Sequence, residues 1–331
     1  MLVLMALVLP VLLGMTALAV DVGGYATERR DLQNAADSIA LAAAQELPDQ
    51  AAAQAKANAW AAKNGVATSE MTVTITQQSL PSVPNPKVRV EINRNHEFAF
   101  ARVLGVNSTN NGAAATSIKT SPGASAGLVP WSVTQPILNL VPPGEITTLK
   151  YDSNNVTSGN FGAVRIDGSG ASTYRDTVEY GSTNSLCATG VTGCPYPGIV
   201  TAETGNMAGP TRTAVNYLLN NTSTACDTWT EVTLTANGTT TLNPACNPFL
   251  SGGNTVSRII VIPVVANLCN GACDYTITEF ALFFLEGYTR GGCTGSSCNI
   301  QGRFINSNIN YNAQVGVYNA STLSHFVKLT E

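Results

Sequence analysis

The sequence predicts an α+β protein. A long N-terminal helix, hydrophobic and then amphipathic, leads into a small α/β unit and then a β-rich, disulfide-containing C-terminal domain. Three observations predict this. The first 20 residues, MLVLMALVLPVLLGMTALAV, carry no charged side chain, and an alanine-rich helical pattern follows them as far as Lys63. All eight cysteines lie in the C-terminal half. Between helix and C-terminus the chain is mostly short runs of alternating or continuous apolar residues, set off by Gly, Pro, Asn and Ser.

The helix comes first. An apolar run of about 20 residues spans roughly 30 Å, the thickness of a bilayer's hydrocarbon core. A cleaved secretory signal is shorter and ends at a small-residue site, whereas here the helical pattern passes Asp21 without a break. Val22, Tyr25, Leu32, Ala36, Ile39, Ala43 and Leu47 recur at helical spacing and define one apolar face. Glu28, Arg29, Asp31, Gln33 and Asp37 lie mostly off it, and the alanines on it permit close approach of a neighbouring helix. Leu9 and Leu13 belong to the uncharged run, where Pro10 and Gly14 mark a kink or a close packing contact. Leu9, Pro10, Leu13, Gly14, Val22, Tyr25, Leu32, Ala36, Ile39 and Ala43 are therefore the expected packing and assembly residues. Pro48-Asp49 interrupts the pattern, and Ala51 to Lys63 continues it as a second segment or past a kink. Asn64-Gly65 ends it, with glycine in the left-handed cap position.

Three stretches of this helix, Leu9-Pro10-Val11-Leu12-Leu13-Gly14, Ala19-Val20-Asp21-Val22-Gly23 and Leu32-Gln33-Asn34-Ala35-Ala36-Asp37, carry a family resemblance. Together they resemble the N-terminal segment of TadG-like proteins of the Flp (tight adherence) pilus system. Weaker likenesses to the same broad group of bacterial proteins lie at Gly159 to Gly162, Gly205 to Arg212, Arg258 to Pro263 and Phe280 to Phe284. The resemblance implies a membrane-inserted, outward-facing component of a pilus machine, or a pilin-like subunit. Its partners would be copies of itself or other pilus proteins, met through the N-terminal helix, with the membrane as partner before assembly. Two departures stand out. The short basic segment that family members carry before the apolar run is missing, so a processed or shortened N-terminus is expected. Met5 stands where pilins of the type IV class carry a glutamate, so no role passes to that position.

After the helix, Met71 to Ile75 and Val88 to Ile92 alternate with period two and read as strands joined by the Pro81 to Pro86 loop. Phe98 to Leu104 reads as a helical turn closed by Gly105, and Ala113 to Lys119 as a third strand. Ser121 to Gly127, SPGASAG, reads as a linker. These signals divide the chain into a helix at 1–64, a small unit at 65–120 packed on the helix, and an outer domain at 121–331. In that domain Thr147 to Tyr151, Ala163 to Ile166, Trp229 to Leu234, Arg258 to Val265, Ile277 to Glu286, Arg303 to Ile305 and His325 to Leu329 read as strands. Pro210 to Asn220 reads as its one convincing helix. Arg258 to Val265 and Ala281 to Leu285 are nearly all apolar, as strands buried on both faces are.

Composition and motifs narrow the function. Charged residues are 11% of the chain, against about 25% in an ordinary soluble protein. The net charge of −4 has no basic block, which argues against nucleic acid as a partner. Cys187, Cys194, Cys226, Cys246, Cys269, Cys273, Cys293 and Cys298, an even number behind a membrane-length segment, read as disulfides formed outside the cytoplasm. Short loops favour pairing in chain order, 187–194, 226–246, 269–273 and 293–298. The spacings and the scarcity of histidine (His96 and His325) disfavour zinc. Gly123-Ala124-Ser125-Ala126-Gly127 has the letters of a nucleophile elbow but lacks the strand and helix that motif needs. Asp167-Gly168-Ser169-Gly170-Ala171-Ser172 approaches the metal-ion adhesion pattern Asp-x-Ser-x-Ser, but position 171 is Ala, so a Gly-rich turn is the plainer reading. Asn-x-Ser/Thr sequons at Asn107, Asn155, Asn220, Asn221, Asn237 and Asn319 mark exposed loops and candidate glycan acceptors.

The expectation is a non-enzymatic structural protein of the bacterial cell envelope or exterior, with no cofactor and a single N-terminal span. Its leading form is a pilin-like subunit assembled through the N-terminal helix. The alternatives are a membrane-anchored pilus assembly factor and, from another class, a surface adhesin using loops near Asp167.

Overall fold

The computed structural model describes residues 2–151, 162–191, 194, 196, 198–203, 207–236, 239–249, 257–266, 272–294, 297–308, 314–320 and 322–330. The chain folds into two compact units, one of residues 1–119 with 327–331, the other of residues 120–326.

The first unit is a helix pair on an antiparallel sheet. Helix α1 (Leu2–Ala44) is 43 residues long, about 65 Å at the usual rise. Helix α2 (Gln50–Lys63) starts at Asp49, whose side chain accepts from the Ala52 N–H. It ends at Asn64, after which Gly65 takes a positive φ of 68°. Strands β1 (Met71–Thr76), β2 (Lys87–Glu97) and β3 (Ser108–Thr120) run antiparallel in that order, and the C-terminal strand lies next to β3. The Thr330 N–H donates to the Thr116 carbonyl across that edge. Val88, Val90 and Ile92, alternate residues of β2, all face the helices and are fully buried. Against them pack Leu32, Ala36, Ile39 and Ala43 of the first helix, Leu47 of the turn after it, and Ala53, Ala57 and Ala61 of the second helix. Each fully buried Val, Leu or Ile here is worth about 1.5–3 kcal/mol. The alanines have no long side chain to hold the backbones apart. Lys119 of β3 reaches the end of α1 and donates to the carbonyls of Gln45 and Leu47 at 2.9 and 2.7 Å. Both carbonyls lie just past Ala44, the last residue of the helix.

The second unit is built on a mixed sheet. In chain order it contains β4 (Pro122–Ser125), β5 (Val133–Thr134), α3 (Gln135–Leu140), β6 (Ile146–Tyr151), β7 (Val164–Arg165), α4 (Ala171–Tyr180), β8 (Leu186–Cys187), β9 (Ile199–Ala202) and α5 (Ala208–Asn221). There follow α6 (Trp229–Val232), β10 (Thr233–Ala236), β11 (Thr239–Leu242), β12 (Ile259–Val265), β13 (Asp274–Thr294), β14 (Ser297–Ile305), β15 (Ser307–Asn308) and β16 (Gln314–Val315), and last β17 (Ser324–Leu329), whose residues from Val327 on belong to the first unit. The main sheet has the order β5-β12-β13-β14-β6, and β9 joins β13 and β7 beside it. Every residue of β12 is buried. Ile260, Ile262 and Val264 face a core with Tyr174 and Val178 of α4 and Ala214, Val215 and Leu218 of α5. Ile259, Val261 and Val265 face a second core with Leu128, Val232 and Leu242. Strand periodicity of two explains how one apolar run serves both.

Four expectations are corrected. Ser121 to Gly127 is not a linker: β4 lies within it and is wholly buried. Its small residues answer to close packing, since a Cβ on Gly123 would lie 2.8 Å from the Val315 carbonyl and 2.9 Å from the Gly316 Cα. Gly123→Ala is accordingly expected to destabilise the second unit by about 1–3 kcal/mol, as overpacking does, measurable as a lower denaturation midpoint. Trp229 to Val232 is a helical turn, not part of a strand, held by a capping box in which Glu231 accepts from the Thr228 N–H. The Pro210 helix is not alone in this unit: α4 packs beside it. Residues 327–331 belong to the first unit rather than the outer domain.

Candidate functional site

The lower half of α1 is committed to its own chain. Besides the apolar core, Gln33 donates to the Ala114 carbonyl and to Asp37. Glu28 accepts from Asn111 and pairs with His96 Nδ1 at 2.8 Å. Tyr25 packs edge-on against His96, with ring centroids 5.6 Å apart. Of the expected assembly residues, Leu32, Ala36, Ile39 and Ala43 are thus buried against the chain's own sheet and second helix. Tyr25 is half-buried at the junction.

The upper half is different. Val8, Leu12, Met15, Leu18, Val20 and Val22 are all exposed, from 46% to 64%. Among the described residues no atom outside its own helix turn lies within 4 Å of where a Cβ on Gly14 would stand. The helix runs through Pro10 without dividing. The side chains of Leu9, Pro10 and Leu13 lie outside the described residues, as do those of residues 1–7 and of Val11. Among the described residues no helix is long and apolar enough to cross a membrane.

Asp21 marks the change between the halves. It is 4% exposed, and its carboxylate accepts from three successive backbone N–H groups, Ala99, Phe100 and Ala101, at 2.7 to 3.2 Å. Burial alone pushes this carboxyl up. The N–H groups of Ala101, Ala99 and Phe100 and the nearby His96 outweigh burial and hold it below the usual carboxylate range. The loop so held contains a turn at Ala101–Leu104 closed by Gly105 at φ 87°. Between loop and helix lies an apolar cleft of about 550 Å³, lined by Gly14, Ala17, Leu18, Asp21, Phe100 and Val103 among others. Asp21→Ala is expected to free the three N–H groups. Hydrogen exchange at Ala99 to Ala101 should then accelerate while β2 stays protected; unchanged exchange at those amides would remove the lock from the account.

The other candidates are structural. Cys187 is paired with Cys194, Cys226 with Cys246 and Cys293 with Cys298. Cys273 is disulfide-bonded, and Cys269 lies outside the described residues. Asp167 turns inward to its own unit, accepting from the backbone N–H groups of Thr183 and Asn184 and from the Asn184 side chain. Among the described residues no three His, Cys, Asp or Glu side chains cluster as a metal site. His325 is held by Thr322 and the Asn319 carbonyl. Asn107, Asn220, Asn221 and Asn319 are exposed, and Asn155 and Asn237 lie outside the described residues.

The fold and the site define a class: an α+β protein with disulfides, led by a long helix whose described large apolar side chains from Val8 to Val22 are exposed. Residues 1–46 match the family model described as putative Flp pilus-assembly TadE/G-like. The match covers the apolar run and the Leu32 to Ala43 stripe; it makes the N-terminal segment TadG-like and supports a pilus-related protein. It also points to the cell envelope or surface. No curated protein matches the chain, and no solved structure does.

Proposed function

We propose that this chain is a structural, non-enzymatic subunit of a Tad/Flp-type pilus or a related surface filament. Its α1 packs with copies of itself, and its disulfide-bonded unit faces the exterior. One observation carries the reading: α1 is docked on a sheet from Leu32 onward, while its described large apolar side chains from Val8 to Val22 are exposed. Six large exposed apolar side chains on one rod need cover, and about 1.5–3 kcal/mol per side chain drives that cover into place. Neighbouring rods in a filament core supply it, and the membrane supplies it before assembly. Negative-stain microscopy of sheared surface material, with mass spectrometry of its peptides, tests this. Filaments containing the chain are the expected result.

A second reading has its own support. The stripe from Leu32 to Ala43 is used up inside the chain, and the uncharged run before it is 20 residues long, one bilayer's worth of helix. That suits a membrane-anchored assembly factor. The chain would then stay in the membrane fraction, and sheared filaments would lack it.

A further inference from the structure

The loop from Phe98 to Val106 serves no purpose in the core. Phe100, Val103 and Val106 are exposed by 48%, 86% and 50%, and Val103 is the most exposed large hydrophobic among the described residues. A loop that only joined β2 to β3 would be expected to turn polar side chains outward. This one turns aromatic and aliphatic groups outward and is tied by three backbone bonds to the first charged residue after the apolar run. We propose that this loop is a lipid-facing wedge, seated at the boundary between acyl chains and headgroups where α1 leaves the bilayer. This rests on the reading that Met1 to Val20 lies in a membrane before or instead of assembly.

Three features favour a phospholipid surface as the occupant. The first is position: the wedge stands beside Leu18 and Val20, at the end of an uncharged run of 20 residues, about 30 Å of helix. The second is charge. Arg102 sits within the loop, its side chain half-exposed and 3.6 Å from the exposed Glu97, and Arg29 and Arg30 are exposed on α1 two to three turns beyond Asp21. Basic groups there face phosphate headgroups while Phe and Val enter the acyl boundary, the arrangement of interfacial anchors. The third is Asp21 itself. A bare carboxylate beside hydrocarbon is costly, but this one has donors on both oxygens and needs no water to satisfy them.

The test uses the full chain reconstituted in phosphatidylcholine vesicles brominated on the acyl carbons nearest the headgroup. Val103→Trp places a reporter on the most exposed side chain of the loop, where the fold has room for it. The expected result is flotation with the vesicles and about twofold quenching of the added tryptophan's emission, beyond the background of Trp60, Trp131 and Trp229. A floating variant with unquenched added emission overturns the wedge and leaves the helix insertion standing. Quenching that disappears as protein-to-lipid ratio rises assigns the cleft to a second copy and also overturns it. Failure of wild-type protein to float removes the membrane reading itself, and the wedge with it.

Discussion

Leu13→Asp is expected to abolish assembly while leaving both folded units intact. Position 13 lies within an uncharged run that extends for 20 residues, and on insertion scales an aspartate at the centre of such a helix costs about 2.5–3.5 kcal/mol. At about 1.4 kcal/mol per tenfold, that is a loss of roughly a hundredfold or more in membrane partition. In a filament core the penalty recurs in every subunit, because an unpaired buried charge finds no partner among Leu, Val and Ala. The core of the first unit begins at Leu32, so circular dichroism and thermal midpoint should be unchanged. The two proposed roles separate in this variant's cellular fate. A filament subunit loses its polymers, and an anchored factor moves from the membrane to the soluble fraction. Normal filaments or normal membrane retention would show that the rod is not the assembly element.

The parts of this fold legible in the sequence are those in which one pattern has one physical cause. Val88, Val90 and Ile92 alternate because one sheet face is buried, and the run from Ile259 to Val265 is continuous because both faces are. The misread parts had two causes for one pattern. Ser121 to Gly127 has the small residues of a flexible linker, and also those of a strand on which Gly316 closes. Helix α4 escaped because only Tyr174, Thr177 and Val178 of its residues are buried, and the polar remainder masks the stripe. The turn at Trp229 did have a readable sign, since Thr228-Trp229-Thr230-Glu231 fits the capping-box spacing. At the candidate site, the apolar rod and its end at Asp21 were legible. The lock on Asp21 was not, because its donors are main-chain N–H groups about 80 residues away, which no residue type advertises.

Glu279→Gln is expected to stabilise the second unit at alkaline pH and to leave it nearly unchanged in acid. Glu279 lies on the central strand β13, opposite Val264 of β12, and shares a strand face with Ala281 and Phe283. It is 3% exposed, and among the described residues neither carboxylate oxygen has a hydrogen-bond partner. Burial pushes its carboxyl up from 4.5 to about 7. The folded state therefore keeps a proton that the unfolded chain releases at lower pH, and stability falls as pH rises from about 4.5 to about 7. Each tenfold change in proton affinity is worth about 1.4 kcal/mol, so the penalty above that range is about 3 kcal/mol at most. Glutamine keeps the shape and cannot ionise. Its buried amide is as poorly partnered as the protonated acid, so little changes near pH 5. Near pH 8 a gain of about 1–3 kcal/mol is expected. The readout is the difference between wild-type and variant stability across pH 4 to 9 by denaturant titration. Ionisation of the exposed carboxylates moves both curves alike and drops out. Parallel curves would mean that Glu279 finds a partner or water in solution and titrates like an ordinary carboxyl.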